Sequence, residues 1–261
     1  MVYTIFSKIF TTHTTEDVAY YMKQFLKVIG LEFLVLAFFI VNGAYVSTTS
    51  TNNPFLSYLG LVPFALMLYG YLLFSKKSRT ILNLFSNHSV RETLLYLTPL
   101  LIILITLYIG NGGLNLGDYS NVILVLITHI LIIVFIEEVI YRGFMISILK
   151  ERGIMLAVTV SSLLFAITHS LQLLGGQDLL STVIQISYAF STGMVLALLI
   201  ALGQPLIVTI LFHGINNTFI VLAAKDGGDI FTFVIVAILV TYSIFLYKKL
   251  KSSQKHILIY S

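Results

Sequence analysis

Eight stretches of this 261-residue chain are apolar almost without interruption: 29–46, 54–74, 93–110, 120–149, 154–172, 179–202, 205–224 and 229–247. A hydrocarbon core about 30 Å thick is crossed by about 20 apolar residues in a helix. Backbone groups find no water in lipid, so such runs must satisfy themselves as helices or closed barrels. The apolar positions are continuous rather than alternating, which argues against strands. Composition agrees, with 58% apolar or aromatic residues and only 10% charged, against about 45–50% and about 25% in soluble domains. Eight spans would use roughly 160 residues, leaving little for a separate soluble catalytic module. The expected fold is therefore all-α: a polytopic membrane helical bundle of about eight transmembrane helices. Its expected organisation is a segment 1–28, transmembrane helices over 29–110, a core over 120–224, and a last helix with a basic tail over 229–261. The fourth run is long enough to project beyond the membrane, since ~30 helical residues rise ~45 Å.

The chain has no cysteine, which excludes disulfides, thiolate nucleophiles and Cys-ligated metals. Lys8, Glu16, Asp17, Lys23 and Lys27 interrupt the first 28 residues, so no signal peptide is expected there. Thr14 and Asp17 resemble a helix start, and Val18, Met22, Phe25 and Ile29 recur at helical spacing. The segment reads equally as an interfacial helix on an anionic leaflet or as a plain extension of the first span. With the N-terminus inside, 13 of the 15 basic residues fall on inner segments, and the outer loops hold only Lys225 beside Asp118, Asp178, Asp226 and Asp229. Among the inner ones are Lys8, Lys23, Lys27, Lys76, Lys77, Arg79, Arg91, Lys150, Arg152 and Lys255. Eight spans with both termini cytoplasmic satisfy the positive-inside rule, and the expected location is the plasma membrane.

Ionisable groups within a span cost roughly 2.5–3.5 kcal/mol each on insertion scales. This chain carries Glu137, Glu138, Arg142 and His129 in the fourth span, His169 in the fifth, and His213 with Asn217 in the seventh. Glu32, near an end of the first span, is expected to snorkel. At 1.5 Å per residue, Glu137 lies about 20 Å from the inner end of its helix, His169 about 24 Å, and His213 and Asn217 about 12 and 18 Å. Three helices thus place polar side chains in one slab of the membrane. Glu138 and Arg142 are i,i+4 neighbours that can pair, and Glu137 points about 100° away with no local partner. His213 and Asn217 share a face. So do Phe165 and His169, where the ring can hold the imidazole's rotamer. His129 lies about 80° around the helix from Glu137 and is read as structural.

No Gly-x-Ser-x-Gly context surrounds the span serines and no His-Glu-x-x-His zinc helix is present. A carboxylate, two imidazoles and a carboxamide remain, a set suited to hydrolysis by activated water. Burial raises the pKa of a carboxyl and so brings a general base nearer neutrality. Glu137 would take the water's proton, with His169 orienting the water or sharing that proton. His213 and Asn217 would stabilise a tetrahedral oxyanion, and either Glu137 or His169 would protonate the leaving amine. The same Glu137, His169 and His213 could instead hold zinc. Asn217, a poor zinc ligand and a good oxyanion donor, tips the reading toward no required metal or other cofactor.

These residues resemble the CAAX protease and bacteriocin-processing (CPBP, or Abi) family of intramembrane endopeptidases. Glu-Glu-x-x-x-Arg appears as Glu137, Glu138 and Arg142, followed by Gly143. Phe-x-x-x-His appears as Phe165 and His169 after Ser161 and Ser162, and His-x-x-x-Asn as His213 and Asn217. The resemblance covers roughly 120–220. It implies an all-helical core with a cavity open to the cytoplasm and to lipid, with Glu137 and His169 activating water, His213 and Asn217 as oxyanion hole, and Glu138 and Arg142 in support. Eukaryotic relatives cut prenylated CAAX proteins, and bacterial ones are linked to bacteriocin maturation, self-immunity or peptide signals. The expectation is a bacterial type of member acting on a peptide or membrane-protein tail. Membrane lipid and that substrate are the expected partners, and nucleic acid is not one. A peptide-binding immunity factor or transporter that does not cut is the alternative; the four prolines Pro54, Pro63, Pro99 and Pro205 form no matched halves of the kind transporters show.

Overall fold

The computed structural model describes residues 15–50, 53–76, 90–117, 119–225 and 227–260. Lys8, Thr14, Lys77, Arg79, Asp118 and Asp226 lie outside the described residues, as do the side chains of Glu16, Asp17, Val18 and Lys255. Every helix or strand-length element among the described residues is helical. In chain order these are α1 (Thr15–Thr49), a 3-10 segment (Leu56–Leu61) leading into α2 (Val62–Phe74), α3 (Val90–Gly110), α4 (Tyr119–Arg152), α5 (Ile154–Leu173), α6 (Leu179–Ala201), α7 (Leu206–Val221) and α8 (Gly228–Tyr260). Seven of these stretches are long and apolar enough to cross a membrane, and α7 is a shorter apolar helix. The eight expected runs are therefore eight helices. Residues 15–28 are continuous with the first span in a single helix.

The bundle is built around α4, the most buried of the spans. Ile136, Val139, Ile140, Met145 and Leu149 are fully enclosed there, whereas Leu66, Leu73 and Phe74 of α2 and Leu95 and Ile105 of α3 are exposed. Apolar residues outside and polar ones inside are what a lipid solvent selects. At one end of the bundle, a short bridge pairs Leu114 with Ala223. Around it Asn115 N–H donates to Leu222 and Lys225 N–H to Asn111, which ties the α3–α4 loop to the end of α7.

Two stretches of α4 widen into π turns, His129–Ile133 and Glu138–Met145. A π turn leaves carbonyls poorly placed for the helical ladder and is found often at functional sites. Side chains from neighbouring helices collect two of them. Tyr69 O–H donates to the Leu131 carbonyl at 2.9 Å, and Ser161 O–H to the Tyr141 carbonyl at 2.7 Å. The widened turns also change which residues share a face, with consequences for His129.

Candidate functional site

Helix α7 crosses α4 closely because position 214 is glycine. A Cβ there would come within 2.6 Å of Ile130 Cγ1 and 3.3 Å of its Cα, so any side chain would force the helices apart. The close approach delivers His213 to the two adjacent carboxylates of α4. His213 Nδ1 lies 2.9 Å from Glu138 Oε1, and Nε2 lies 3.6 Å from Glu137 Oε2. Arg142 Nη1 reaches the same Glu138 oxygen at 3.3 Å, with both side chains fully buried. The expected Glu138–Arg142 pair is present, and it does more than neutralise itself. An ionised carboxylate only accepts hydrogen bonds, so Glu138 fixes the proton of His213 on Nδ1 and turns Nε2 toward Glu137.

Glu137, expected to have no local partner on its own helix, faces α7 instead. Its Oε2 is buried and makes no hydrogen bond among the described residues. The 3.6 Å gap to His213 is too long for a direct bond and is the kind of separation one water can serve from both sides.

Phe165 is the hub of the arrangement. Its ring meets His169 edge-on at 4.9 Å between centroids, His213 at 5.5 Å and Tyr141 at 5.4 Å. The Arg142 guanidinium sits 4.1 Å from the same ring, a cation–π contact that is stronger out of water. One ring of Phe165 thus packs against His169, His213 and Arg142 together. His169 lies where α5 tightens into its last 3-10 turn, half-buried. Its Nδ1 donates to the Phe165 carbonyl at 2.9 Å. A carbonyl only accepts, so in the neutral ring Nε2 is left as the basic nitrogen.

Asn217 lies one turn beyond His213 on α7 and is half-buried. A short relay orients it. Tyr188 O–H donates to Asn216 Oδ1 at 2.6 Å, which turns the Asn216 amide so that its Nδ2 faces Asn217 Oδ1 at 3.4 Å. The Asn217 amide nitrogen keeps its donors for another acceptor. Neither Asn216 nor Tyr188 stood out in the sequence, although Asn216 adjoins the motif.

Two sequence expectations are corrected. Glu32 does not snorkel. It is 8% exposed and accepts from Thr168 Oγ1 at 2.8 Å and from the Tyr141 hydroxyl at 3.1 Å, while Tyr141 and Thr168 stand 2.6 Å apart. The cluster ties α1 to the residue before His169 and to a residue inside the first motif. It escaped notice because Glu32 is more than 100 positions away, and depth along one helix says nothing about which neighbour covers it. His129, placed well around the helix from Glu137 by α-helical arithmetic, faces the same neighbour, since its Nδ1 bonds Thr218 Oγ1 of α7 at 3.0 Å. The π turn between the two residues advances less per residue and so cancels the expected offset. Thr218 gives its own proton to the Gly214 carbonyl, so it accepts from His129, whose role here is to join α4 to α7.

Among the described residues no three His, Asp or Glu side chains converge closely enough to hold a metal ion. The alternative zinc set of Glu137, His169 and His213 is not assembled in this arrangement.

Fold and site together are those of a polytopic helical membrane protein with a carboxylate–imidazole centre at its core. Residues 119–219 match the family described as type II CAAX prenyl endopeptidase Rce1-like. All three motifs fall inside that segment, and the match agrees with the resemblance to the CPBP family. It supports an intramembrane endopeptidase of the CAAX type. No curated protein matches the chain.

Proposed function

We propose that the chain hydrolyses a peptide bond in a membrane-associated peptide or protein tail, using water activated by Glu137 and His169. The supporting observation is the way His213 is held, with one nitrogen on Glu138 and the other turned to Glu137. Such an arrangement presets protons and orientations before substrate arrives, the condition under which electrostatic stabilisation is most effective. Glu137 accepts the proton of the attacking water, with His169 Nε2 as second base. Asn217 donates to the oxyanion as it forms, His213 joins it through Nε2–H once that nitrogen has taken up a second proton, and the proton returns to the leaving amine from Glu137 or His169. No metal is required in this reading. We assign the enzyme to the plasma membrane with both termini cytoplasmic, and favour bacteriocin or peptide processing, or self-immunity, over prenylated CAAX tails.

The test is cleavage of matched prenylated and unprenylated peptides by purified protein in vesicles. Glu137→Gln and His169→Ala are each expected to lower kcat by about 10²–10⁴, the usual worth of a general base. Retained cleavage by both variants would overturn the proposal. Protection or binding that survives Glu137→Gln, with no cleavage by the parent, would favour a binding protein. Activity lost to a chelator and restored only by zinc would overturn the metal-free chemistry.

A further inference from the structure

A groove of about 780 Å³ opens between α1, α2 and the last turns of α4. None of the four candidate catalytic side chains lines it. Its volume falls in the roughly 300–1,000 Å³ range of small-molecule sites. Its two ends differ in chemistry. Deep in it, Leu34, Leu68, Ile140 and Phe144 form an apolar wall. At its mouth stand Lys23, Lys27 and Lys150, all exposed. The acid at the mouth, Glu151, is taken by Tyr20 at 2.7 Å and Gln24 at 3.1 Å. No carboxylate pairs with any of the three lysines among the described residues. The groove also has a notch in its floor, since a Cβ on Gly30 of α1 would meet nothing within 4 Å.

Three ammonium groups with no carboxylate partner among the described residues outnumber the one acid at the mouth, Glu151, and stand above an apolar slot; together they are the complement of an anionic head with a hydrocarbon chain. We propose that this groove binds an acidic membrane phospholipid, with the phosphate between Lys23, Lys27 and Lys150 and an acyl chain along α1 and α4. The lysines lie at the end of the bundle that the charge distribution assigns to the cytoplasmic leaflet, where acidic headgroups attract basic side chains. Leu31 and Ile140 line the groove, and their immediate neighbours Glu32 and Tyr141 form the hydrogen-bonded cluster beside His169. Lipid in the groove thereby steadies the contact of α1 with α4 on which that cluster depends. The binding claim stands without the protease reading. The coupling to activity rests on it.

The experiment uses full-length protein delipidated in neutral detergent, with retention of phosphatidylglycerol and phosphatidylcholine measured by native mass spectrometry. Phosphatidylglycerol is expected to be retained selectively and to raise the thermal midpoint. The triple variant Lys23→Gln, Lys27→Gln, Lys150→Gln should lower its affinity roughly 100-fold. Gly30→Leu, which fills the notch and keeps the lysines, should lower it at least tenfold, and the three Lys→Arg substitutions should preserve it. Equal retention of both lipids overturns the proposal. So does selectivity that survives the triple variant, and so does selectivity lost in the triple variant but untouched by Gly30→Leu, which would mark a surface charge effect. A thermal shift reproduced by inorganic phosphate alone would show an anion site without a chain, and would equally overturn it. Binding without any effect on cleavage would sink only the coupling.

Discussion

Replacing Glu138 by glutamine tests whether this carboxylate is a helix-pairing charge or the anchor of His213. The side chain keeps its shape, so no cavity forms and packing is unchanged. What changes is charge. Glu138 Oε1 receives both Arg142 Nη1 at 3.3 Å and His213 Nδ1 at 2.9 Å, and neither Arg142 nor Glu138 is reached by solvent. In Glu138→Gln the guanidinium loses its carboxylate partner and retains its contacts with the Phe165 and Tyr141 rings. Removing one partner of a buried pair costs about 3–5 kcal/mol because the remaining charge is uncompensated. The expected result is a loss of that size in denaturant titration of the protein in mixed micelles. The double variant Glu138→Gln, Arg142→Met separates the two roles. Replacing a whole buried pair by apolar groups is often neutral or stabilising, so stability should return. Cleavage should not. An amide offers His213 an acceptor without charge and with freedom to flip, and misplacement of a reacting group by about 1 Å costs about 10² in rate. A stability loss under about 1 kcal/mol in the single variant, or full cleavage in the stable double variant, would refute this account of the site.

Three other outcomes follow from the same structure. A Cβ on Gly193 of α6 would stand 3.2 Å from Arg142 Nη2 and from Phe165 Cδ1 and 3.3 Å from Ser162 Cα; Gly193→Val is therefore expected to cost about 1–3 kcal/mol and to lower kcat by displacing Phe165, whereas Gly70→Ala in α2, where a Cβ meets nothing, should gain about 0.5–1 kcal/mol with cleavage unchanged. Glu32→Leu deprives Thr168 and Tyr141 of their carboxylate acceptor and should lower stability by about 1.5–3 kcal/mol together with kcat, while Glu32→Gln, which keeps an acceptor, recovers most of both; equal behaviour of the two variants in unfolding and cleavage assays would contradict the anchoring role. Asp178 caps α6, where the Ser181 hydroxyl and the Ser181 N–H, 3.0 Å from Oδ1, hold its carboxyl below the usual range. Its contribution is present above the unfolded-state pKa near 3.8 and is lost as pH falls through the lower folded value, so amide-exchange protection in the first turn of α6 should fall with acid in the parent and not in Asp178→Asn.

Much of this molecule is legible one helix at a time. Continuous apolar runs must be helices in lipid, and the eight runs read from the sequence are the eight helices observed. Spacing within a run fixes pairs one turn apart, so Glu138 with Arg142 and Phe165 with His169 were visible before any fold. What a helix cannot encode alone is which neighbour covers a given face. Only the packed bundle decided that Glu138 also holds His213, that Glu32 of α1 joins Thr168 and Tyr141, and that Tyr188 orients Asn216 beside Asn217. Those contacts join residues 28 to 136 positions apart in the chain, where local periodicity carries no information. The π turns of α4 add a second reason. They shift the register that a fixed turn angle assumes, so His129 and Glu137 meet the same helix, as only the folded backbone could reveal.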